Sequence, residues 1–217
     1  MIHTLEADSI QLQFNGRTIL SDIYLSATTG EITGLLGRNG QGKSCLMRII
    51  YGSLSCEKSI RIDKIQQNEA YKQRGLILYL PQFNFIPKRL SLKRIFTDFE
   101  LTYDFFQQRF PAFAAKYNTS AGSLSGGELR LVEVYLIVKS ACLFALLDEP
   151  FTHLNPVQTE KVKDLLTEEK LYKGLLITDH MYRHVTGVCD ILYILSNGKL
   201  HLAKSEQDIE RHGYARL

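Results

Sequence analysis

The stretch Gly37-Arg38-Asn39-Gly40-Gln41-Gly42-Lys43-Ser44 fits the pattern G-x-x-x-x-G-K-[ST]. An apolar run at residues 32–36 leads into it, and residues 45–51 after it have the pattern of a helix. In this setting, glycine-rich loops cradle phosphate groups, because the backbone amides and the helix dipole both favour an anion. A chance match is the alternative, and the flanking strand and helix argue against it. The stretch therefore predicts a phosphate-binding loop in an α/β fold.

Each part of this loop has an expected task. Gly37, Gly40 and Gly42 permit the tight curvature that turns backbone amides inward. Lys43 would reach the β and γ phosphates of a nucleotide, and the Ser44 hydroxyl would bind Mg²⁺. A nucleotide and a magnesium ion are the first ligands to expect.

Further apolar runs alternate with helical stretches along the chain. The strand candidates are residues 32–36, 76–80, 143–147, 175–178 and 191–195. Short buried strands separated by helices predict a mainly parallel sheet that is covered on both faces. Near the start of the chain, apolar and polar residues instead alternate on both sides of Asn15-Gly16, a pair that favours a tight turn. We expect an antiparallel β edge subdomain there, beside the parallel core sheet of a P-loop NTPase.

Residues 83–123 interrupt this alternation and hold most of the eleven phenylalanines. The aromatic residues that recur at spacings of three and four are Phe96, Phe99, Tyr103, Phe106 and Phe110. This spacing predicts a helical aromatic stripe. The core of a small α-helical insertion is the favoured interpretation. An apolar groove for a partner helix is the alternative, and the two are compatible.

Length, charge and cysteines limit the function classes. A chain of 217 residues suits a single domain, which we expect to span residues 1–217 with the helical insertion at about 83–135. The net charge of +3 comes without a long basic block, so nucleic acid is not an expected partner. The four cysteines lack a C-x-x-C spacing, which argues against a zinc site or a disulfide framework. No signal peptide or membrane-spanning run is visible, and we expect a cytoplasmic protein.

Two adjacent carboxylates end the apolar run at residues 143–147. Asp148 would reach the coordination sphere of the metal, and Glu149 would accept a proton from the water that attacks the γ-phosphate. A lone Asp-Glu pair after a strand is usually only a solvated strand end. The phosphate-binding loop elsewhere in the chain favours the metal and base interpretation.

Polar side chains follow two more of the predicted strands. His180 comes after the run at residues 175–178, and Gln82 follows residues 76–80 and Pro81. Ligands of open parallel sheets bind at the carboxyl ends of the strands, so His180 would lie near Glu149 and hold the γ-phosphate and the attacking water. The Gln82 amide would contact the metal or the water in one conformation and withdraw in another. The alternatives are an exposed strand-end histidine and a glutamine that caps a turn.

The pentapeptide Leu124-Ser125-Gly126-Gly127-Glu128 precedes a helix that we expect to begin near Glu128. Its amides would form an anion site at the helix N-terminus. A simple helix cap explains Ser125 but leaves the two glycines unexplained. A half-site for a phosphate that another chain holds accounts for both.

These motifs, in this order, resemble the nucleotide-binding domain of the ATP-binding cassette (ABC) transporter family, and the resemblance covers nearly the whole chain. It identifies residues 37–44 with the Walker A loop, Gln82 with the Q-loop, residues 124–128 with the signature, residues 143–149 with the Walker B strand and His180 with the switch histidine. Phe14 matches the aromatic residue that stacks on adenine. The nucleotide-binding residues that the resemblance implies are Phe14, Gly37, Arg38, Asn39, Gly40, Gly42, Lys43, Ser44, Cys45, Ser125, Gly126, Gly127 and Glu128. The implied catalytic residues are Glu149, His180, Gln82 and Lys43, and the implied metal ligands are Ser44, Gln82 and Asp148.

The resemblance also implies an assembly. ATP on the Walker A loop of one chain would be completed by Ser125, Gly126 and Gly127 of a second chain. Closure of this pair, followed by Mg²⁺-dependent hydrolysis, would drive separate integral membrane subunits from the cytoplasmic face of the membrane. Since one chain carries one set of motifs, we expect a homodimer. Finer likeness points to the branch of lipopolysaccharide export and branched-chain amino-acid uptake.

Several positions depart from the family pattern. Asn155 stands where the family has aspartate, Leu131 replaces a frequent arginine, and the helical insertion is short. These departures raise the alternative of an ATP-gated regulator that hydrolyses little. A soluble ABC protein that acts on DNA or ribosomes is a further alternative, but such proteins usually carry tandem cassettes or long coiled coils. Cys45 follows Ser44 at a helix N-terminus, which can lower the pKa of a thiol, so we expect an oxidisable cysteine there.

Overall fold

The computed structural model describes residues 1–211, and residues 212–217 of the predicted domain lie outside this part. Its strands are β1 (Thr4–Phe14), β2 (Arg17–Thr28), β3 (Ile32–Leu36), β4 (Glu57–Ile62), β5 (Ile65–Gln66), β6 (Ile77–Leu80), β7 (Phe144–Asp148), β8 (Gly174–Thr178), β9 (Ile191–Ser196) and β10 (Lys199–Ala203). Its helices are α1 (Lys43–Tyr51), α2 (Leu92–Asp98), α3 (Tyr103–Arg109), α4 (Gly126–Lys139), α5 (Pro156–Glu169), α6 (Tyr182–Thr186) and α7 (Glu206–Arg211).

The larger sheet is the mainly parallel sheet that the apolar runs predict. Its strand order is β10-β9-β3-β8-β7-β6, and each pair except β10 with β9 is parallel. Strands β3, β7 and β8 are buried over their whole length. Because the strands run in one direction, the loops after β3, β6, β7 and β8 meet at the same edge of the sheet.

Each face of this sheet packs on its own core. Along β7, Ala145 and Leu147 belong to the core shared with α4 and α5, whereas Phe144 and Leu146 belong to the core shared with α1 and the smaller sheet. Successive side chains of a strand point to opposite faces, so one short apolar strand supplies both cores. Truncation of Phe144, Leu146 or Leu147 to alanine would cost about 2–5 kcal/mol.

The smaller sheet is antiparallel, with the order β2-β1-β4-β5. Strands β1 and β2 form the predicted hairpin, and Asn15 and Gly16 at its tip have φ angles of 49° and 76°. Two successive positive φ angles are what an Asn-Gly turn between twisted strands requires. The hairpin carries Phe14 to the edge of the phosphate-binding loop.

The helical aromatic stripe that the spacing predicts is divided between two short helices, α2 and α3. Phe99 is the C-cap of α2, Glu100 then has a φ of 57°, and Phe110 is the C-cap of α3. The ring of Phe106 lies 4.8 Å from that of Phe113 and 4.9 Å from that of Tyr135 on α4. Most of the stripe is buried, so the interpretation as a core is confirmed. No helix within residues 1–211 has both the length and the apolar character needed to cross a membrane.

Candidate functional site

The phosphate-binding loop joins β3 to α1, and its glycines are required by close packing. A Cβ atom on Gly37 would lie 2.7 Å from the Leu195 carbonyl oxygen, and one on Gly42 would lie 2.8 Å from the Ile19 side chain. Gly42 also has a φ of 101° as the N-cap of α1. The helix begins at Lys43, two residues before the predicted start. The loop therefore fixes the first turn of α1 directly against the sheet.

Lys43 folds back over this loop. Its ammonium donates hydrogen bonds to the carbonyl oxygen of Gly37 at 2.5 Å and to that of Arg38 at 3.3 Å. Burial lowers the pKa of Lys43, and the carboxylates of Glu149 and Asp148 oppose this effect. The side chain is thus a buried cation that faces two acidic groups.

Asp148 ends β7 and is only 1% exposed. The Tyr79 hydroxyl on β6 donates a hydrogen bond to Oδ2 of Asp148 at 3.0 Å, while Oδ1 has no partner of regular hydrogen-bond geometry. Burial raises the pKa of Asp148, and the hydroxyls of Ser44 and Tyr79 lower it. A buried carboxylate oxygen that lacks a regular hydrogen bond, beside a serine hydroxyl, fits the oxygen ligands that Mg²⁺ prefers.

Glu149 and His180 meet at the ends of β7 and β8. The Glu149 backbone has a φ of 52°, and its N–H donates to the Thr178 carbonyl oxygen at 2.8 Å. The Thr152 hydroxyl donates to Oε2 of Glu149 at 3.3 Å, and Nδ1 of His180 lies 3.8 Å from the same oxygen. Left-handed backbone on a residue other than glycine is strained, and such strain is concentrated at functional sites.

Asp179 fixes the backbone that follows Glu149 and His180. It is 1% exposed, its Oδ1 accepts a hydrogen bond from the Met181 N–H at 2.9 Å, and its Oδ2 accepts one from the Phe151 N–H at 3.3 Å. The chain segments after β7 and β8 are thereby joined. Burial raises the pKa of the Asp179 carboxyl.

Most of the predicted site residues line a single cavity of about 640 Å³. The predicted residues that line it are Phe14, Asn39, Gly40, Gly42, Lys43, Ser44, Cys45, Gln82, Glu149 and His180. Phe14 is 45% exposed, as a stacking platform requires. The expected lowering of the Cys45 thiol pKa is wrong, because burial raises the pKa of this thiol and outweighs the opposite effect of Arg48.

The pentapeptide at residues 124–128 is not among the lining residues of this cavity. It forms the N-terminus of α4, which begins at Gly126, two residues before the predicted start. Ser125 and Glu128 form a capping box, in which each side chain accepts a hydrogen bond from the backbone N–H of the other. Glu128 also pairs with Lys116. The amides of Gly126 and Gly127 precede the first helical hydrogen bond, from Leu129 to Ser125, and have no acceptor within the helix.

The two glycines of the pentapeptide have different surroundings. A Cβ atom on Gly127 would lie 2.4 Å from the His153 carbonyl oxygen, whereas one on Gly126 would approach nothing closer than 3.7 Å. Packing within the chain therefore explains Gly127. Packing does not require a glycine at Gly126.

Sequence reasoning missed Tyr79 and Asp179 as part of the site. Tyr79 contacts a residue 69 positions away, so no local pattern reveals the hydrogen bond. In the structure, Tyr79 on β6 is paired with Leu146 on β7, the strand that ends in Asp148. Asp179 is adjacent to His180, and an acidic residue beside a candidate catalytic histidine was a signal of its own.

Comparison with known proteins agrees with this geometry. The sequence matches the family described as ABC transporter over residues 20–152. The lipopolysaccharide export system ATP-binding protein of Escherichia coli K12 is 33% identical, over 91% of this chain and 88% of that protein. The protein of the same name from Haemophilus influenzae is 32% identical, over 90% of this chain and 88% of that protein.

Two solved structures share the fold. An ATP binding subunit of an ABC transporter superposes with a TM-score of 0.81 at 20% identity, covering 97% of this chain and 93% of that one. A bacterial Atm1-family ABC exporter with ATP bound superposes with a TM-score of 0.82 at 18% identity, covering 98% of this chain and 41% of that one. The chain therefore belongs to the ABC transporter family, and it has the fold of the family's ATP-binding subunits.

Proposed function

We propose that this chain binds ATP with Mg²⁺ and hydrolyses it to ADP and phosphate, as the ATPase subunit of an ABC transporter. The observation that carries the proposal is the grouping of Lys43, Ser44, Glu149 and His180 around one cavity, with the unpaired oxygen of Asp148 beside them. A buried cation, a partly buried carboxylate and a free metal ligand are the groups that phosphoryl transfer needs.

Binding would be the task of the loop and the hairpin. The backbone amides at residues 37–42 and the Lys43 ammonium would hold the phosphates, and Phe14 would stack on the adenine. Ser44 and Asp148 would hold Mg²⁺, with the Gln82 amide as a further ligand. The bound ion would neutralise phosphate charge and align the β and γ phosphates.

Glu149 would act as the base. As the water oxygen forms its bond to the γ-phosphorus, the Glu149 carboxylate takes the water proton, and the bond to the bridging oxygen breaks, leaving its electron pair on ADP. The Thr152 hydroxyl restricts the position of the Glu149 carboxylate through a hydrogen bond of 3.3 Å. Nδ1 of His180 lies 3.4 Å from Oδ1 of Asp179 and 3.8 Å from Oε2 of Glu149. His180 would also contact the γ-phosphate.

A homodimer would complete the site. The Gly126 and Gly127 amides have no acceptor within their helix, and a Cβ atom on Gly126 would approach no atom closer than 3.7 Å. The N-terminus of α4 would then bind the γ-phosphate that a second copy holds. Separate integral membrane subunits would use this closure, and the chain would lie on the cytoplasmic face of the membrane beside them. The names of the relatives support an export system.

Two of the three departures that raised the alternative of a weakly active regulator, Asn155 and Leu131, have structural roles. Asn155 caps α5, since its side chain accepts a hydrogen bond from the Gln158 N–H at 2.9 Å. Leu131 is buried in the core between α4 and its neighbours. Neither residue lines the proposed ATP cavity, and the regulator is not favoured.

An ATPase assay of the purified chain, alone and with its membrane partner, tests the proposal. Glu149→Gln keeps the size of the side chain and removes the base, so we expect the turnover rate to fall about 10²- to 10⁴-fold. Glu57→Gln, on an exposed position of β4, is the matched control and should be as active as wild type. Wild-type turnover no faster than that of Glu149→Gln would contradict the proposal.

Two further measurements test the assembly. Light scattering of Glu149→Gln with Mg²⁺ and ATP should give the mass of a dimer, and a monomer would contradict the head-to-tail pair. Purification of the tagged chain from detergent-solubilised membranes should retain a multispanning protein in fixed stoichiometry. Recovery of the chain from the soluble fraction alone would contradict the transporter role.

A further inference from the structure

A buried ion pair lies on the inner face of α4, one turn beyond the pentapeptide. Arg130 is 2% exposed and Glu133 is fully buried, and Nη1 of Arg130 lies 3.5 Å from Oε2 of Glu133. Buried ion pairs are weak sources of stability, because two charges lose their hydration. Burial accordingly lowers the pKa of Arg130 and raises that of Glu133. The other hydrogen bonds of the pair show what it holds.

Arg130 binds the backbone of two motifs at once. Its Nη1 donates to the Pro81 carbonyl oxygen at 2.8 Å, and its Nη2 donates to the carbonyl oxygens of Asp148 at 2.5 Å and Glu149 at 2.9 Å. These carbonyls belong to the residue before Gln82 and to the proposed metal ligand and base. The planar guanidinium, with donors in a fixed fork, is the side chain best suited to join three acceptors.

Glu133 holds the other end of the Gln82 loop. Its Oε1 accepts hydrogen bonds from the Phe85 N–H at 2.8 Å and from the Ile86 N–H at 3.3 Å. Residues 82–84 therefore lie between two points that are both fixed to α4. Charge-assisted hydrogen bonds of this kind are shorter and stronger than neutral ones.

We propose that Arg130 and Glu133 are positioning residues that fix Gln82 and Glu149 to the helix that begins at Gly126. A displacement of α4, such as one caused by a ligand at its N-terminus, would then move the glutamine loop and the base as one body. The inference rests on the proposed function, since it concerns the placement of the base for ATP hydrolysis. Neither residue would touch the nucleotide.

Two conservative variants test the proposal. Arg130→Lys keeps the charge but cannot join three carbonyls, and Glu133→Gln keeps the size but weakens both bonds to the loop. Lys173→Met is the matched control: Lys173 is 3% exposed, and its ammonium donates to the Val138 and Ser140 carbonyl oxygens at the opposite end of α4. The control removes a buried cation of similar setting that lies away from the cavity.

Hydrogen exchange reports the positioning without any need for turnover. In Arg130→Lys and Glu133→Gln, exchange at the amides of residues 82–86, Glu149 and Phe151 should rise about tenfold relative to the rest of the chain, because local opening becomes easier. In Lys173→Met, exchange at these amides should change no more than exchange in the rest of the chain. Equal exchange in all three variants would overturn the proposal.

Kinetics give the second readout. Because a small misplacement of a base is costly, kcat in both positioning variants should fall about 10- to 100-fold, while the Kd for ATP changes by less than about threefold. A fall in kcat no larger than that of Lys173→Met would overturn the proposal. If wild type itself turns over no faster than Glu149→Gln, the proposed function fails, and the exchange measurement still decides whether the pair positions the loop.

A double variant guards against loss of folding. Arg130→Met with Glu133→Leu removes both charges together, a change that proteins with buried ion pairs often tolerate. It should fold and bind ATP, yet show the same fast exchange and low kcat as the single variants. Wild-type kcat in the folded double variant would overturn the proposal.

Discussion

Tyr79 and Asp148, on neighbouring strands, share a hydrogen bond of 3.0 Å that occupies one carboxylate oxygen and leaves the other unpaired. The tyrosine holds the carboxylate in one orientation, because rotation of the Asp148 side chain would break this bond. The unpaired Oδ1 is thereby kept available for the proposed magnesium ion.

Tyr79→Phe should weaken Mg²⁺ binding. Loss of a partner that orients a ligand usually lowers metal affinity about 10- to 100-fold, and we expect a shift of this size in the Mg²⁺ concentration that gives half-maximal ATPase activity. Tyr172→Phe, at an exposed position, is the control and should not shift it. An unchanged Mg²⁺ dependence in Tyr79→Phe would mean that the hydroxyl does not support the metal ligand.

Asp148→Asn should stabilise the chain in the absence of nucleotide and Mg²⁺. Burial raises the pKa of Asp148, so the folded state binds this proton more tightly than the unfolded state, and the ionised group lowers stability above its folded pKa. The asparagine variant should gain roughly 1–3 kcal/mol in the free energy of unfolding at pH 7.5, measured with urea.

The pH dependence of this gain is its control. As the pH falls through the raised pKa, wild-type Asp148 becomes neutral, and the difference between the two proteins should shrink towards zero. A gain that is the same at acidic and neutral pH would show that the carboxylate charge is not its cause. Mg²⁺-dependent hydrolysis should be lost at every pH.

Alanine substitutions should separate the two glycines of the pentapeptide. Gly127→Ala places a Cβ atom 2.4 Å from the His153 carbonyl oxygen, and overpacking of this kind should cost about 1–3 kcal/mol in thermal or urea unfolding. Gly126→Ala meets no atom closer than 3.7 Å and should be neutral or stabilising by about 0.4–1 kcal/mol.

Gly126→Ala should leave the stability of the chain intact but impair ATP-dependent dimerisation. In a Glu149→Gln background, Gly126→Ala should weaken the ATP-dependent dimer, because the added methyl group occupies the space in front of the proposed phosphate site. Normal dimerisation of this variant would remove Gly126 from the proposed interface. Size-exclusion chromatography with light scattering, with and without ATP, makes the comparison.

Cys45 should react slowly with thiol reagents. Burial raises the pKa of its thiol, so little thiolate is present at neutral pH, and alkylation by iodoacetamide should be slower than that of a free cysteine. Saturating ATP should slow it further, because Cys45 lines the cavity. Mass spectrometry of the labelled peptide separates Cys45 from the other three thiols. Labelling as fast as that of free cysteine would contradict the effect of burial.

Local sequence patterns predicted the framework of the site well. All five apolar runs match a strand of the larger sheet to within one residue at either end, as for β6 and β7, because burial on both faces demands continuous apolar residues. The start of α4 was placed too late, since glycine has a low helix propensity. The better signal was the Ser125 to Glu128 spacing of a capping box.

The break in the aromatic stripe and the links between motifs were beyond these patterns. Glu100 takes a left-handed conformation, and no adjacent glycine or proline indicates a break there. Arg130 contacts carbonyl oxygens 49, 18 and 19 residues away, so its role depends on how the elements pack. Periodicity predicts which face of a helix is buried, but not which backbone groups a buried charge will meet.

The alternation of β7 between two cores has a consequence for the length of the strand. Insertion or deletion of one residue within Phe144–Asp148 would send Ala145 and Leu147 into the space of Phe144 and Leu146, and would turn the Asp148 carboxylate away from Tyr79. The side chains of this strand can therefore change in volume, but the number of residues in the strand is fixed. An insertion or deletion here should prevent folding and abolish ATP hydrolysis together.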